Sequence, residues 1–217
     1  MPWGWHLFFY DVLNKIVIDS GIHSRLTSEK QCAEDHLQFS DGNDLVLFDR
    51  GYVAFWLYAY LLERNINFCM RAKTNQSLLI KDFVRSGKKE AVVTFKPNKP
   101  SLKTCEEKGL PTQPITLRLV RVELPNEVEV LVTNLMDEEI HDHSAFKSLY
   151  HLRWGIEENY KRLKQWVEIE NFSGKSALSV KQDFYAKIVA SNLTALMEIE
   201  AQERVDKRTR YLNNVIR

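Results

Sequence analysis

The stretch Asp44-Leu45-Val46-Leu47-Phe48-Asp49-Arg50-Gly51-Tyr52, continued by VAFWLYAYLLERNINFCMR over residues 53–71, decides the fold class. Residues 44–48 form a short apolar run that suits a strand buried on both faces. The run stops at Asp49-Arg50-Gly51-Tyr52. Residues 53–64 are predicted as a helix, and residues 67–71 as a second buried strand. Strand, helix and strand with short connections make a βαβ unit, so part of the sheet is predicted to be parallel. The ten apolar residues 53–62 stop at Glu63 and Arg64. A membrane span takes about 20, so this is a core segment.

Upstream, residues 7–11 and 16–19 are short apolar, β-branched runs separated by Leu13-Asn14-Lys15. They read as a hairpin or one bent strand. Ser28 with Gln31 three residues later is a capping-box signature, and opens a helix to about residue 39. Ser40-Asp41-Gly42-Asn43 is a turn by composition. Downstream, strands are predicted over 91–95, 115–124 and 128–135, the last two as a hairpin. Residues 71–108 hold ten Lys/Arg against four Asp/Glu, a local charge of +6. This reads as a small β-rich insertion with a basic loop. From about residue 144 the pattern is helical, over 144–170 and again over 179–202. Residues 204–217 carry five Lys/Arg against one Asp.

Composition narrows the class. The chain has 217 residues, 44% hydrophobic and 27% charged, as in ordinary soluble globular proteins. Lys and Arg exceed Asp and Glu by 30 − 29 = 1, so any nucleic-acid footprint must be local. The start, Met1-Pro2-Trp3-Gly4-Trp5-His6, lacks the basic region and cleavage site of a signal peptide. Three widely spaced cysteines, Cys32, Cys69 and Cys105, fit a reducing cytoplasm and exclude a disulfide scaffold.

Two features carry chemistry. Asp49 sits just past a buried strand, where α/β folds place functional groups, and a carboxylate there can hold a divalent cation. The bland alternative is a turn residue or helix cap. The second feature is Tyr150, Arg153, Glu157 and Lys164, at offsets of 3, 4 and 7. On the helix predicted over 144–170 they share a face beside the apolar stripe Leu149, Leu152, Ile156, Tyr160, Leu163 and Val167. One acid among two cations and a phenol suits a phosphodiester. The alternative is an amphipathic helix with pairs such as Glu157-Lys161. His141-Asp142-His143 reads as a solvated turn before it reads as a metal site. Lys88, Lys89, Lys96, Lys99 and Lys103 are either a phosphate-contacting surface or a solvated loop. Cys69, Trp56, Tyr58 and Tyr60 read as core.

Asp49-Arg50-Gly51-Tyr52 closing a strand, then Tyr-x2-Arg-x3-Glu-x6-Lys after a β-rich segment, resembles the DDE transposases of the insertion-sequence-4 type. Tyr10-Asp11-Val12-Leu13-Asn14, residues 44–73 and Gln182-Asp183-Phe184-Tyr185-Ala186 extend the likeness across residues 7–200. The resemblance implies a ribonuclease-H-like α/β fold, a mixed sheet flanked by helices, with a β-rich insertion before the last catalytic helix. Residues 1–73 would begin the core, 74–137 would be the insertion, and 138–217 would be its helical end. It implies DNA transposition by end cleavage and strand transfer, with Asp49 and Glu157 as catalytic and metal-binding carboxylates of a two-metal site for Mg2+ or Mn2+. Tyr150, Arg153 and Lys164 would hold DNA phosphates, and Trp154 would stack on a displaced base. The partners implied are double-stranded DNA and a second copy in a synaptic dimer, in the bacterial cytoplasm and nucleoid, with no membrane.

The pattern departs from the family at its beginning. Residues 7–19 leave room for strands two and three only, so the first strand and its Asp are expected to be missing. Asp11 and Asp19 are the early acids that remain. A truncated, catalytically impaired transposase is the leading reading. The others are a non-catalytic inhibitory fragment that binds DNA or transposase, and a remnant of a decayed element.

Overall fold

A computed structural model describes residues 5–23 and 27–215, with side chains over 6–23 and 27–207. The first four residues and the side chains of Arg208, Arg210 and Arg217 lie outside it. Chain contacts divide the molecule into two units: residues 27–153, and residues 1–26 with 154–217.

The 27–153 unit is built on the βαβ segment. Strand β3 (Leu45–Phe48) and strand β4 (Asn67–Ala72) pair in parallel, with Phe48 opposite Met70, and α2 (Phe55–Glu63) connects them. Helix α1 (Glu29–Leu37) precedes β3; the Ser28 hydroxyl accepts from the Gln31 amide, as the cap pattern requires. Strands β5 (Glu90–Phe95), β6 (Ile115–Glu123) and β7 (Val128–Thr133) complete one five-stranded sheet in the order β3-β4-β7-β6-β5. All pairs but β3–β4 are antiparallel. The strands of the 74–137 segment are thus hydrogen-bonded into the sheet that β3 and β4 begin. The parallel pair needs both faces covered. Phe68 and Tyr58 stack on the α2 face, with Phe95 beside them. On the other face Cys69, Val120 and Leu131 pack against Phe146 and Tyr150 of α5 (Ala145–His151).

Two further helices, α3 (Leu78–Ser86) and α4 (Lys99–Glu107), lie where only strands and a basic loop were read. Their signals are local. The Ser77 hydroxyl accepts from Ile80 and the Asn98 side chain from Ser101. Pro100 stands in the first turn of α4, and Gly87 ends α3 at φ 68°, a left-handed angle that suits glycine.

In the other unit, β1 (Trp5–Asp11) and β2 (Ile16–His23) form an antiparallel hairpin that is a sheet of its own. Asp11 accepts from the Leu13 and Asn14 amides and fixes the turn, with Lys15 at φ 59°. Helices α6 (Trp154–Gln165) and α7 (Ala177–Val215) belong here. Val17, Leu163, Ile169, Phe184 and Ile188 make the core, and the Phe184 ring stacks on His6 and Phe8. The register slips between Phe9 and Tyr10, so Phe9 faces Asp19 and Tyr10 faces Val17. Asn192 of α7 then clamps the strand: it accepts from the Val17 amide at 2.9 Å and donates to the Val17 carbonyl at 2.9 Å. Among the described residues no helix is long and apolar enough to cross a membrane.

Asn192→Ala leaves two backbone groups of β2 without these partners, each worth about 1–3 kcal/mol when buried. The expected outcome is a lower midpoint in urea unfolding and faster amide exchange at Val17. Unchanged exchange at Val17 would show that the clamp carries no load.

Candidate functional site

Asp49 is where the parallel pair sends it, at the carboxyl end of β3, half-exposed, with its carbonyl accepting from the Tyr52 amide to close the turn. The position is held from the side by Tyr150. Its ring is buried in the core under α5, and its hydroxyl donates to the Phe48 carbonyl at 3.1 Å. Burial pushes that hydroxyl well above the ordinary phenol range. Tyr150 therefore braces the peptide that precedes Asp49, from inside the core, and does not face solvent as a phosphate contact would.

The expected single helix over 144–170 is two helices. Helix α5 ends at His151, where the Leu152 and Arg153 amides donate to Leu149 and Tyr150 three residues back, and α6 starts at Trp154. Such tightened bonds commonly end a helix. Gly155 lies in the first turn of α6, where an added Cβ would stand in ordinary contact with Val12 at 3.4 Å. The four signature residues thus stand on two helices and the break between them. Tyr150 is in α5, Arg153 in the break, and Glu157 and Lys164 in α6, across the boundary between the units.

Arg153 lies in the 27–153 unit, its guanidinium 5.8 Å from the Tyr150 ring centre. Tyr150, Asp49 and Glu129 are all within electrostatic reach of one another, and Arg153 acts on both Tyr150 and Glu129. Glu129 carries no sequence signal beyond one acid in an apolar strand. Burial raises its carboxyl above the usual range, against the pull of Arg71. In the other unit, Glu157 is half-buried in the first turn of α6, where the helix dipole favours an acid. Lys164 pairs with Glu170 at 2.9 Å and lies over the Tyr160 ring. That bond holds the Glu170 carboxyl below its ordinary range. Trp154 is half-exposed.

The alternative sites resolve into structure. His143 bonds to the Arg121 carbonyl at 2.8 Å, and the His141 carbonyl accepts from Arg118. Asp11 is committed to its turn. Cys69 is fully buried, and burial raises its thiol far above the usual range. The lysines 88, 89, 96, 99 and 103 are all exposed.

The sequence pattern described as Transposase DDE domain matches residues 6–193. The chain belongs to the DDE transposase family. A curated relative, "Transposase InsG for insertion sequence element IS4" of Escherichia coli (strain K12), is 25% identical over 181 residues, which are 82% of this chain and 40% of that protein. The transposase domain described here therefore spans less than half the length of that relative. Its family generally uses divalent metal ions. Among the described residues no group of three or more His, Cys, Asp or Glu side chains is gathered to hold one.

Tyr150→Phe removes the hydroxyl that braces β3 and leaves the Phe48 carbonyl short of a partner, at about 1–3 kcal/mol. The domain is expected to fold, with a lower melting temperature and faster amide exchange at Tyr52, whose bond to Asp49 closes the turn. Normal exchange at Tyr52 would mean that the turn holds without the brace.

Proposed function

We propose that this chain is the phosphodiester-handling part of a transposase, acting on double-stranded DNA by metal-dependent end cleavage and strand transfer in the intact system. The observation that supports it most is the carboxyl end of β3, where Tyr150 bonds the peptide that precedes Asp49 and Arg153 lies 5.8 Å from the Tyr150 ring centre, in a chain that matches the DDE pattern over most of its length. The parallel β3–β4 pair with helices on both faces agrees with a ribonuclease-H-like fold, in which this strand end is the place for a functional carboxylate.

The proposed roles follow the chemistry of each side chain. Asp49 and Glu157 supply hard oxygen ligands, the kind that Mg2+ or Mn2+ takes. They are right in chemistry but too few for a complete ligand set. When bound, such ions would stabilise the attacking and leaving oxygens of an in-line displacement. Arg153 offers a planar fork of donors to a phosphate. Lys164 offers a point charge, and its exposed pair with Glu170 is worth little, so a phosphate can compete for it. Trp154 presents ring surface on which a base can stack. Tyr150 serves the site through the Phe48 peptide. A second copy of the chain is the proposed partner in synapsis.

The test is a set of DNA-binding titrations at several salt concentrations, on wild type, Arg153→Ala and Lys164→Ala. Each substitution should weaken binding regardless of sequence and reduce the slope of log K against log salt by about one unit. Unchanged slopes in both variants would make these residues a structural face and overturn the reading.

A strand-nicking assay on transposon-end duplexes addresses activity. With two proposed carboxylates where the chemistry takes three, a loosely placed ion should cost several orders of magnitude in rate. No nicking above a Glu157→Ala control is expected, even with Mn2+. Metal-dependent nicking that the control loses would show that another carboxylate of this chain completes the site.

A further inference from the structure

Strand β6 carries two buried arginines, and their charges are met differently. Arg118, 1% exposed, pairs with Glu90 at 2.5 Å. Arg121, 8% exposed, has no carboxylate within ion-pair distance among the described residues. Its Nε donates to the Lys88 carbonyl at 3.0 Å and its Nη2 to the Val84 carbonyl, and the Phe83 ring centre lies 5.9 Å from the guanidinium. Nη1 bonds to no described residue. The two carbonyls, in and just past the last turn of α3, satisfy two donors but carry only partial charges. A buried cation is ordinarily paired with a full one. The Arg121 backbone is also fixed: its amide donates to the Lys89 carbonyl at 2.7 Å, and its carbonyl bonds the His143 ring at 2.8 Å. Strand β5 begins at Glu90 opposite Val120, and β6 runs past it to Glu123. Beside that overhang a cavity of about 300 Å3 is lined by Lys89, Arg121, Glu123, His143, Ser144 and Lys147. Three permanent cations thus line it against one carboxylate. Lys89 and Lys147 are exposed and pair with no described acid, while the Ser144 hydroxyl is committed to Asp142.

We propose that this cavity binds a phosphate group through Arg121, Lys89 and Lys147, and that the phosphate belongs to the backbone of duplex DNA. This rests on the reading above that the chain handles DNA, and the site shares no residue with the carboxyl end of β3. A bound phosphate supplies the full negative charge that Arg121 lacks within the fold. An arginine already held by two carbonyls and an aromatic ring has little rotamer freedom left to lose, so the ordering cost of binding is met in advance. Both lysines stand at the surface, where a duplex can present a backbone phosphate without opening its helix. Contacts of that kind fix the register of a protein on DNA without reading sequence.

The test follows amide NMR signals of the isotope-labelled chain during titration with inorganic phosphate, and then with a random-sequence duplex. Wild type is run beside Arg153→Ala, Arg121→Gln and a double variant with Lys89→Ala and Lys147→Ala. Phosphate should shift the Lys89, Arg121 and Lys147 signals in wild type and equally in Arg153→Ala, with binding about tenfold weaker in the double lysine variant. Arg121→Gln should abolish the response. Arg121 also ties the end of α3, so that variant is checked by thermal melting, and should it fail to fold, the two exposed lysines decide. The duplex should displace phosphate from wild type, and the double lysine variant should lower the slope of log K against log salt by about two units. No phosphate response at these amides, or an equal response in the double lysine variant, overturns the site. Phosphate that binds here and is not displaced by the duplex makes the ligand a small free phosphate and overturns the DNA source. An unchanged salt slope in the double lysine variant, beside the expected loss in Arg153→Ala, overturns the inference while the reading of Arg153 stands. Failure of every form of the chain to bind the duplex overturns the DNA reading itself, and the DNA source with it.

Discussion

The hydrogen bond from Tyr150 to the Phe48 carbonyl joins the two layers on which the 27–153 unit depends. Strand β3 is four residues long and is paired on one side only, by β4. A short edge strand is the weakest member of a sheet, because half its backbone groups lack a ladder partner. Here the last carbonyl of that strand is met by a side chain from the helix above. The same phenol anchors α5 into the cluster of Cys69, Val120 and Leu131. The helix cannot shift without disturbing the strand end, and the strand end sets where Asp49 stands.

The neighbouring backbone is tied in the same manner. The Phe68 amide donates to Asn134, the Asn134 amide donates to Ile66, and the Thr133 hydroxyl donates to the Phe68 carbonyl. These side chains continue the β4–β7 ladder past its last backbone pair. Arg118 does comparable work deeper in the fold. It is almost wholly buried, yet its guanidinium is matched by Glu90 and by the Leu135 and His141 carbonyls. A buried guanidinium with all three nitrogens bonded is tolerated, and stripping Glu90 would leave an uncompensated charge that costs several kcal/mol. Its partners fix the connection from β7 to α5, so the polar interior of this unit serves to aim α5.

The break between α5 and α6 changes what the signature residues have in common. On a continuous helix they would have been fixed relative to one another by helical geometry alone. With Leu152 and Arg153 outside regular helix, Tyr150 and Arg153 answer to the five-stranded sheet, while Glu157 and Lys164 answer to the hairpin and α7. The four residues are thus carried by two separately packed supports.

Local chemistry determined much by itself. The apolar run 44–48, the helix behind it and the run 67–71 forced a parallel βαβ pair, because short connections of that kind leave few other arrangements. Asp11 and Leu13-Asn14-Lys15 set the hairpin turn, and Ser28 set the start of α1, since caps and turns are contacts among near neighbours. The strand-end place of Asp49 followed from the same pattern. What lay out of reach depended on partners far along the chain. That β5, β6 and β7 join β3 and β4 in one sheet is decided by pairings across some 60 residues, such as Cys69 with Thr133. The break between α5 and α6 falls where the chain passes from one packed unit to the other, a division made by contacts far along the chain. Glu129 is one acid in an apolar strand until the sheet brings Arg71 to it, because a charge acquires its role from whichever charges the fold sets within a few ångströms.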